Sequence, residues 1–117
     1  MTRIIVLGAG MVGSAMAIDL SKKHDISLLD LSSKRLESIS QKHPNINTLQ
    51  LDVSKVEKLQ SVLQDFDFVV CAVPGFLGFQ TIKTVIEAGK NAVDISFFPE
   101  NALELDALAK AKGVTAI

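Results

Sequence analysis

The chain has 117 residues, of which 48% are hydrophobic and 21% charged, and a formal net charge of −1. That is one domain with an ordinary core, and its balanced charge leaves no basic footprint for nucleic acid or anionic membrane. One cysteine excludes a disulfide framework, one cysteine with two histidines argues against a zinc site, and zero tyrosines exclude a catalytic Tyr.

Arg3–Leu7 is a β-branched run and reads as the first strand. The uncharged stretch Ile4–Ile18 is 15 residues long, short of the ~20 that span a bilayer. A secretory signal segment is the alternative reading, but Gly8, Gly10 and Gly13 suit a turn better, and a cytoplasmic protein is expected. Met11–Lys23 follows as a helix, Ile26–Leu29 as the second strand, and Ser33–His43 as a helix with Leu36 and Ile39 as its apolar stripe. Ile46–Leu51 is the third strand. Ser54 is the expected N-cap of a helix to Leu63 that carries Val56, Leu59 and Leu63 at helical spacing. Phe68–Val73 is apolar throughout, as a strand buried on both faces would be. Gly78–Ala88 is a helix with Phe79, Ile82 and Ile86 on one side and Gly89 at C′. Asn91–Ile95 is the fifth strand, Glu100–Lys112 a helix ended by Gly113, and Val114–Ile117 the start of a sixth strand.

Short apolar runs alternating with helices predict an α/β fold. The expected architecture is a doubly wound parallel sheet of the Rossmann type, about six strands in the order 3-2-1-4-5-6. Because the chain stops within its last strand, residues 1–117 read as one domain cut from a longer protein.

The strongest motif is Gly8-Ala9-Gly10-Met11-Val12-Gly13, directly after a strand and opening a helix. Gly8 permits the tight turn, Gly10 lets a pyrophosphate approach the backbone, and Gly13 lets the helix pack close to the sheet. Ala17 and Leu20 continue the Gly13 stripe. The helix N-terminus offers unpaired N–H groups and a partial positive charge to phosphates. Asp30 stands 22 residues after Gly8, where a carboxylate accepts from the adenosine ribose hydroxyls and repels a 2′-phosphate. NAD is therefore favoured over NADP. Lys34 or Arg35 is the counter-reading, able to hold a 2′-phosphate.

Asp52 and Val53, at the end of strand three, fall beside the adenine pocket of such a sheet. Asp52 accepts from the adenine amino group there, or simply orders the turn into the next helix. Ala72, Val73, Pro74 and Gly75 end strand four across the switch point, against the nicotinamide ribose or merely as turn residues. Cys71 reads as a buried core residue rather than a nucleophile. His24 and His43 read as helix C-terminal caps. Asp94 and Ser96, after strand five, lie on the ligand-binding edge, as substrate contacts or as loop-ordering residues. Phe76, Leu77, Phe97 and Phe98 fall in the loops after strands four and five, as core or as a contact surface.

Four segments together resemble the saccharopine dehydrogenase-like family, of the saccharopine reductase and lysine 6-dehydrogenase type. They are Leu7–Gly13, Leu51–Ser54, Ala72–Leu77 and Glu87–Ser96. The resemblance implies an NAD(P)-dependent oxidoreductase acting at a C–N bond of an amino acid through an imine. It implies that Gly8, Gly10, Met11, Val12, Gly13, Asp30, Asp52, Val53, Ala72, Val73 and Pro74 bind cofactor, with Asp94 and Ser96 near substrate. It assigns no catalytic acid or base. Members of that family continue into a second α/β domain carrying most substrate contacts and the dimer interface, so this chain alone is expected to bind cofactor without turnover. Its expected partners are the dinucleotide and, in the full-length protein, a small amino-acid substrate and a second subunit, with no nucleic acid, membrane or metal.

The competing function is a nucleotide-sensing Rossmann module of the kind attached to potassium channels and transporters, which shares the glycine motif and the acid after strand two. A short-chain reductase is excluded by the missing Tyr.

Overall fold

A computed structural model describes residues 2–73, 75–94 and 113, and the backbone alone at 75–79 and 94. Strands and helices alternate along it: β1 (Arg3–Leu7), α1 (Met11–Leu20), β2 (Asp25–Asp30), α2 (Ser33–Lys42), β3 (Asn47–Gln50), α3 (Val56–Leu63), β4 (Phe68–Cys71), α4 (Gly75–Glu87) and β5 (Asn91–Asp94). The five strands form one parallel sheet in the order β3-β2-β1-β4-β5. This agrees with the predicted order over the strands it contains. The sixth strand and the preceding helix lie outside the described residues, as do Pro74, Ser96, Phe97 and Phe98.

Alternation within β1 divides the core. Ile5 and Leu7 join Leu59, Leu63, Val69, Ile82 and Ile86 in one cluster, on the side of α3 and α4. Ile4 and Val6 join Ala17, Ile26, Leu28 and Leu36 in the other, on the side of α1 and α2. A strand pointing successive side chains to opposite faces can fill two cores only if both faces are covered, which is why β1 is apolar from Ile4 to Leu7 after the exposed Arg3. Each fully buried Leu, Ile or Val contributes roughly 1.5–3 kcal/mol of transfer free energy. Cys71 is fully buried in the α3/α4 cluster, as its apolar neighbourhood predicts.

Register brings the strand ends to one level. Leu7 pairs with Leu29 and with Cys71, and Cys71 pairs with Asp94. The order reverses at β1, with β2 on one side and β4 on the other. A crevice opens beyond the carboxyl ends of strands at such a switch point.

Several boundaries differ from expectation. α1 ends at Leu20, not Lys23, because the N–H groups of Lys23 and His24 both turn back to the Leu20 carbonyl. His24 therefore sits beyond the helix in a turn, whereas His43 is the C-cap of α2 as expected. Ser54 does not cap α3. Its hydroxyl donates to Asp52 at 2.7 Å, and the Lys55 N–H closes onto the Asp52 carbonyl at 3.0 Å, so the helix begins at Val56 after Lys55. α4 starts three residues before the expected Gly78. Gly89 follows it at φ 76°, the left-handed C′ conformation that glycine permits. Among the described residues no helix is long and apolar enough to cross a membrane.

Candidate functional site

The glycine turn is built from the sheet outward. The Gly8 N–H donates to the Leu29 carbonyl at 2.7 Å, and the Ala72 N–H donates to the Leu7 carbonyl at 2.8 Å. These bonds carry the β1–β2 and β1–β4 ladders one step past the strands and bring Ala72 against the turn. Gly8 has φ 107°, and a Cβ there would stand 2.5 Å from the Ala72 carbonyl oxygen. A Cβ at Gly13 would collide with the Gly8 carbonyl oxygen and lie 3.2 Å from the Ala72 Cβ. Both glycines are therefore required by packing within the chain. Gly10 is different. Its φ of −72° and ψ of −171° suit any residue, and a Cβ would meet nothing within 4 Å. Among the described residues no contact demands glycine at that point. The space in front of it fits a group brought close to the backbone, as a pyrophosphate would be.

Gly10 is the N-cap of α1, and among the described residues no side chain caps that helix, which leaves its first-turn N–H groups open to a ligand. Met11 and Val12, at 90% and 58% exposure, stand uncovered in the first turn of α1. The Ser14 hydroxyl donates back to the Ala9 carbonyl at 2.9 Å and closes the turn from behind.

Asp30 joins the turn to the end of β2. One carboxylate oxygen accepts from the Ala9 N–H at 2.9 Å and the other from the Ser32 N–H at 2.8 Å. The charge is thus fixed beside the turn, with lone pairs left on both oxygens. Beyond it opens a cleft of about 530 Å³ lined by Gly8, Leu29, Asp30, Leu31, Ser32, Arg35, Leu51, Asp52, Val53 and Val73. Six residues singled out from the sequence meet here: Gly8, Asp30, Arg35, Asp52, Val53 and Val73. Gly10, Met11 and Val12 do not line the cleft, and Ala72 packs against the turn. Asp94 lies on the same sheet edge by register.

Sequence reasoning missed the apolar lining from Leu29, Leu31 and Leu51. The only available signal was their place at or just beyond the strand ends. It also missed the clamp that Asp30 makes on Ala9, because a hydrogen bond across 21 positions leaves no local mark. Lys34, offered with Arg35 as a phosphate ligand, does not line the cleft; Arg35 does. Among the described residues no cluster of three His, Cys, Asp or Glu side chains is placed to hold a metal.

Asp52 has the turn role considered for it. Its Oδ1 accepts from the Ser54 hydroxyl at 2.7 Å and the Ser54 N–H at 2.9 Å. Those two bonds, with Lys55 nearby, hold its carboxyl below the ordinary carboxylate value. A depressed folded pKa stabilises the fold above the unfolded value of about 3.9, and that contribution is lost as pH falls through the folded value. Urea titrations between about pH 5 and pH 2 are expected to show a shallower loss of stability for Asp52→Asn than for the parent chain. Parallel curves would mean that the turn contributes nothing.

The comparisons with known proteins agree with this geometry. Residues 4–117 match the family described as Saccharopine dehydrogenase NADP binding domain. Alpha-aminoadipic semialdehyde synthase of Mus musculus, a mitochondrial protein, is 31% identical over 119 aligned positions, covering 98% of this chain and 13% of the relative. Among solved structures, apo saccharopine dehydrogenase (L-Glu forming) from Saccharomyces cerevisiae superposes with a TM-score of 0.85 at 20% identity, covering 99% of this chain and 26% of that one. The WlbA dehydrogenase from Thermus thermophilus, in complex with NAD and alpha-ketoglutarate, gives 0.76 at 20% identity over 99% of this chain and 40% of that one. At such identities the structural likeness speaks for the Rossmann fold. The chain spans about an eighth of the length of the first curated relatives, 13% in each. The match over residues 4–117, with a glycine turn, an acid at the end of β2 and a cleft between them, makes this chain a member of the saccharopine dehydrogenase NADP-binding domain family.

Proposed function

We propose that this chain is the cofactor domain of an oxidoreductase acting on a C–N bond of a lysine- or saccharopine-type amino acid, with NAD(H) preferred. The observation that carries the reading is Gly10, a glycine that no contact among the described residues requires, at a helix start that none of their side chains caps and two positions after the cleft residue Gly8. When bound, the nicotinamide ring supplies hydride transfer. In this reading the N–H groups that open α1 hold the pyrophosphate, between the turn of Gly8 and Gly13 and the flanking Met11 and Val12. The lone pairs left on Asp30 accept from the ribose hydroxyls, and this fixed carboxylate supports NAD over NADP. Asp52 through its second oxygen and Val53 through its N–H, which donates to no described group, hold the adenine. Ala72, Val73 and Pro74 line the way to the nicotinamide ribose, and Asp94 and Ser96 face the substrate.

Substrate selection and turnover are assigned to parts of a longer protein beyond residues 1–117. A homodimer and a cytoplasmic setting belong to the same reading; light scattering and cell fractionation test them. A nucleotide-sensing channel module finds no support in the relatives.

The test is thermal unfolding with NAD+, NADH, NADP+ or NADPH. A ligand at ~100 times its Kd adds about 2.7 kcal/mol, several degrees for a domain of this size. The expected result is a rise that is largest with NAD(H). Gly10→Val is expected to abolish the rise while changing the unliganded stability by about 1 kcal/mol or less, since the backbone is extended and its Cβ is unopposed. No rise with any of the four nucleotides in the parent chain would withdraw the proposal.

A further inference from the structure

Arg35 lines the cleft from the first turn of α2. Its N–H donates to the Ser32 Oγ at 3.3 Å, and the next residue, Leu36, is buried at 5% exposure, so the base of the side chain is anchored at the rim. Two carboxylates, Asp30 and Asp52, line the same cleft, yet among the described residues Arg35 forms no ion pair; Arg3–Asp25 and Lys22–Asp19 are the pairs formed there. The backbone accounts for this in part. Each Asp30 oxygen already accepts an N–H, and Asp52 Oδ1 is held by Ser54. What remains is a planar cation on an exposed residue of a cleft whose lining includes the half-buried Leu51 and the buried Val53. A guanidinium is weakly hydrated and stacks on aromatic faces, whereas an ammonium is a compact, strongly hydrated point charge.

We propose that Arg35 is an adenine-binding residue, its guanidinium stacking on the solvent-side face of the purine while Leu51 and Val53 cover the opposite face. This rests on the dinucleotide reading above and extends it. Arg35 recognises the flat base common to NAD, NADP and AMP, and leaves discrimination at the 2′ position to Asp30.

Calorimetric titration of the 117-residue chain with NAD+, NADP+ and AMP tests it. Arg35→Ala is expected to weaken all three to a similar degree, by about 3- to 30-fold. Arg35→Lys, which keeps the charge and loses the plane, is expected to fall nearly as far. The unliganded Tm of both variants is expected to stay at the parent value, because the side chain is exposed. A loss confined to NADP+ would overturn the proposal and make Arg35 a 2′-phosphate ligand. Full retention of affinity by Arg35→Lys would overturn it in favour of a purely coulombic role, and unchanged affinity in Arg35→Ala would overturn it outright. Failure of the parent chain to bind any of the three, seen before any variant is made, would remove the dinucleotide reading itself and this proposal with it.

Discussion

Gly13→Ala is expected to destabilise the chain by about 3 kcal/mol, at the upper end of what an added methyl costs in a packed interior. The reason is what the new Cβ would meet. It would collide with the Gly8 carbonyl oxygen, and the Ala72 Cβ closes the other side at 3.2 Å. Neither neighbour is the flexible end of a long side chain. The Gly8 N–H is bonded to Leu29, and Ala72 is bonded to Leu7, so relief would have to break the ladder extensions at the switch point. For a domain of this size 1 kcal/mol corresponds to roughly 4–8 °C, so the melting temperature should fall by on the order of 15 °C. Gly8→Ala should behave similarly, its Cβ 2.5 Å from the Ala72 carbonyl oxygen and its φ of 107° hostile to any side chain. Thermal scans without nucleotide decide the matter. A Gly13→Ala chain melting within a few degrees of the parent would show that the turn can open, and the packing account of this glycine would fail.

Asp30→Ala is expected to act twice. Without nucleotide, the chain should lose about 1–3 kcal/mol of stability, because the Ala9 and Ser32 N–H groups lose a charged acceptor in a half-buried setting. With nucleotide, NAD affinity should fall by at least about tenfold, from the missing ribose acceptor and from a glycine turn no longer held in place. An Asp30→Ala exchange, even with an added Arg, therefore mixes cofactor preference with loop order. The two effects separate by measurement: urea denaturation without ligand reports the clamp, and calorimetry with NAD+ and NADP+ reports the reader. Unchanged stability would mean the two N–H groups find water at no cost. Lost stability with unchanged NAD affinity would mean Asp30 is only a clamp.

Much of this site was legible because its signals are local. Gly8, Gly10 and Gly13 occupy fixed offsets between an apolar run and a helix, and Asp30 closes the next strand. Leu59 with Leu63, and Ile82 with Ile86, repeat at helical spacing and are buried as that spacing predicts. The errors are local as well, but they turn on competition. Ser54 has the residue type of an N-cap, yet its hydroxyl is used by Asp52, two positions before it. α1 stops short of its predicted end because the backbone turns back on Leu20, which no side-chain pattern announces.

From sequence alone the α/β class, the strand order across the first five strands, the glycine turn and the family resemblance could be determined. Periodicity, turn glycines and short connections constrain a doubly wound sheet almost uniquely. Only the tertiary structure distinguished the three glycines by cause, two excluded from bearing a side chain by backbone oxygens and one facing open space. Only it brought Arg35 but not Lys34 to the cleft, and tied Asp30 to Ala9 across 21 positions. Those facts depend on distances between residues far apart in the chain, and they arise when parallel strands in register bring their carboxyl ends to one edge.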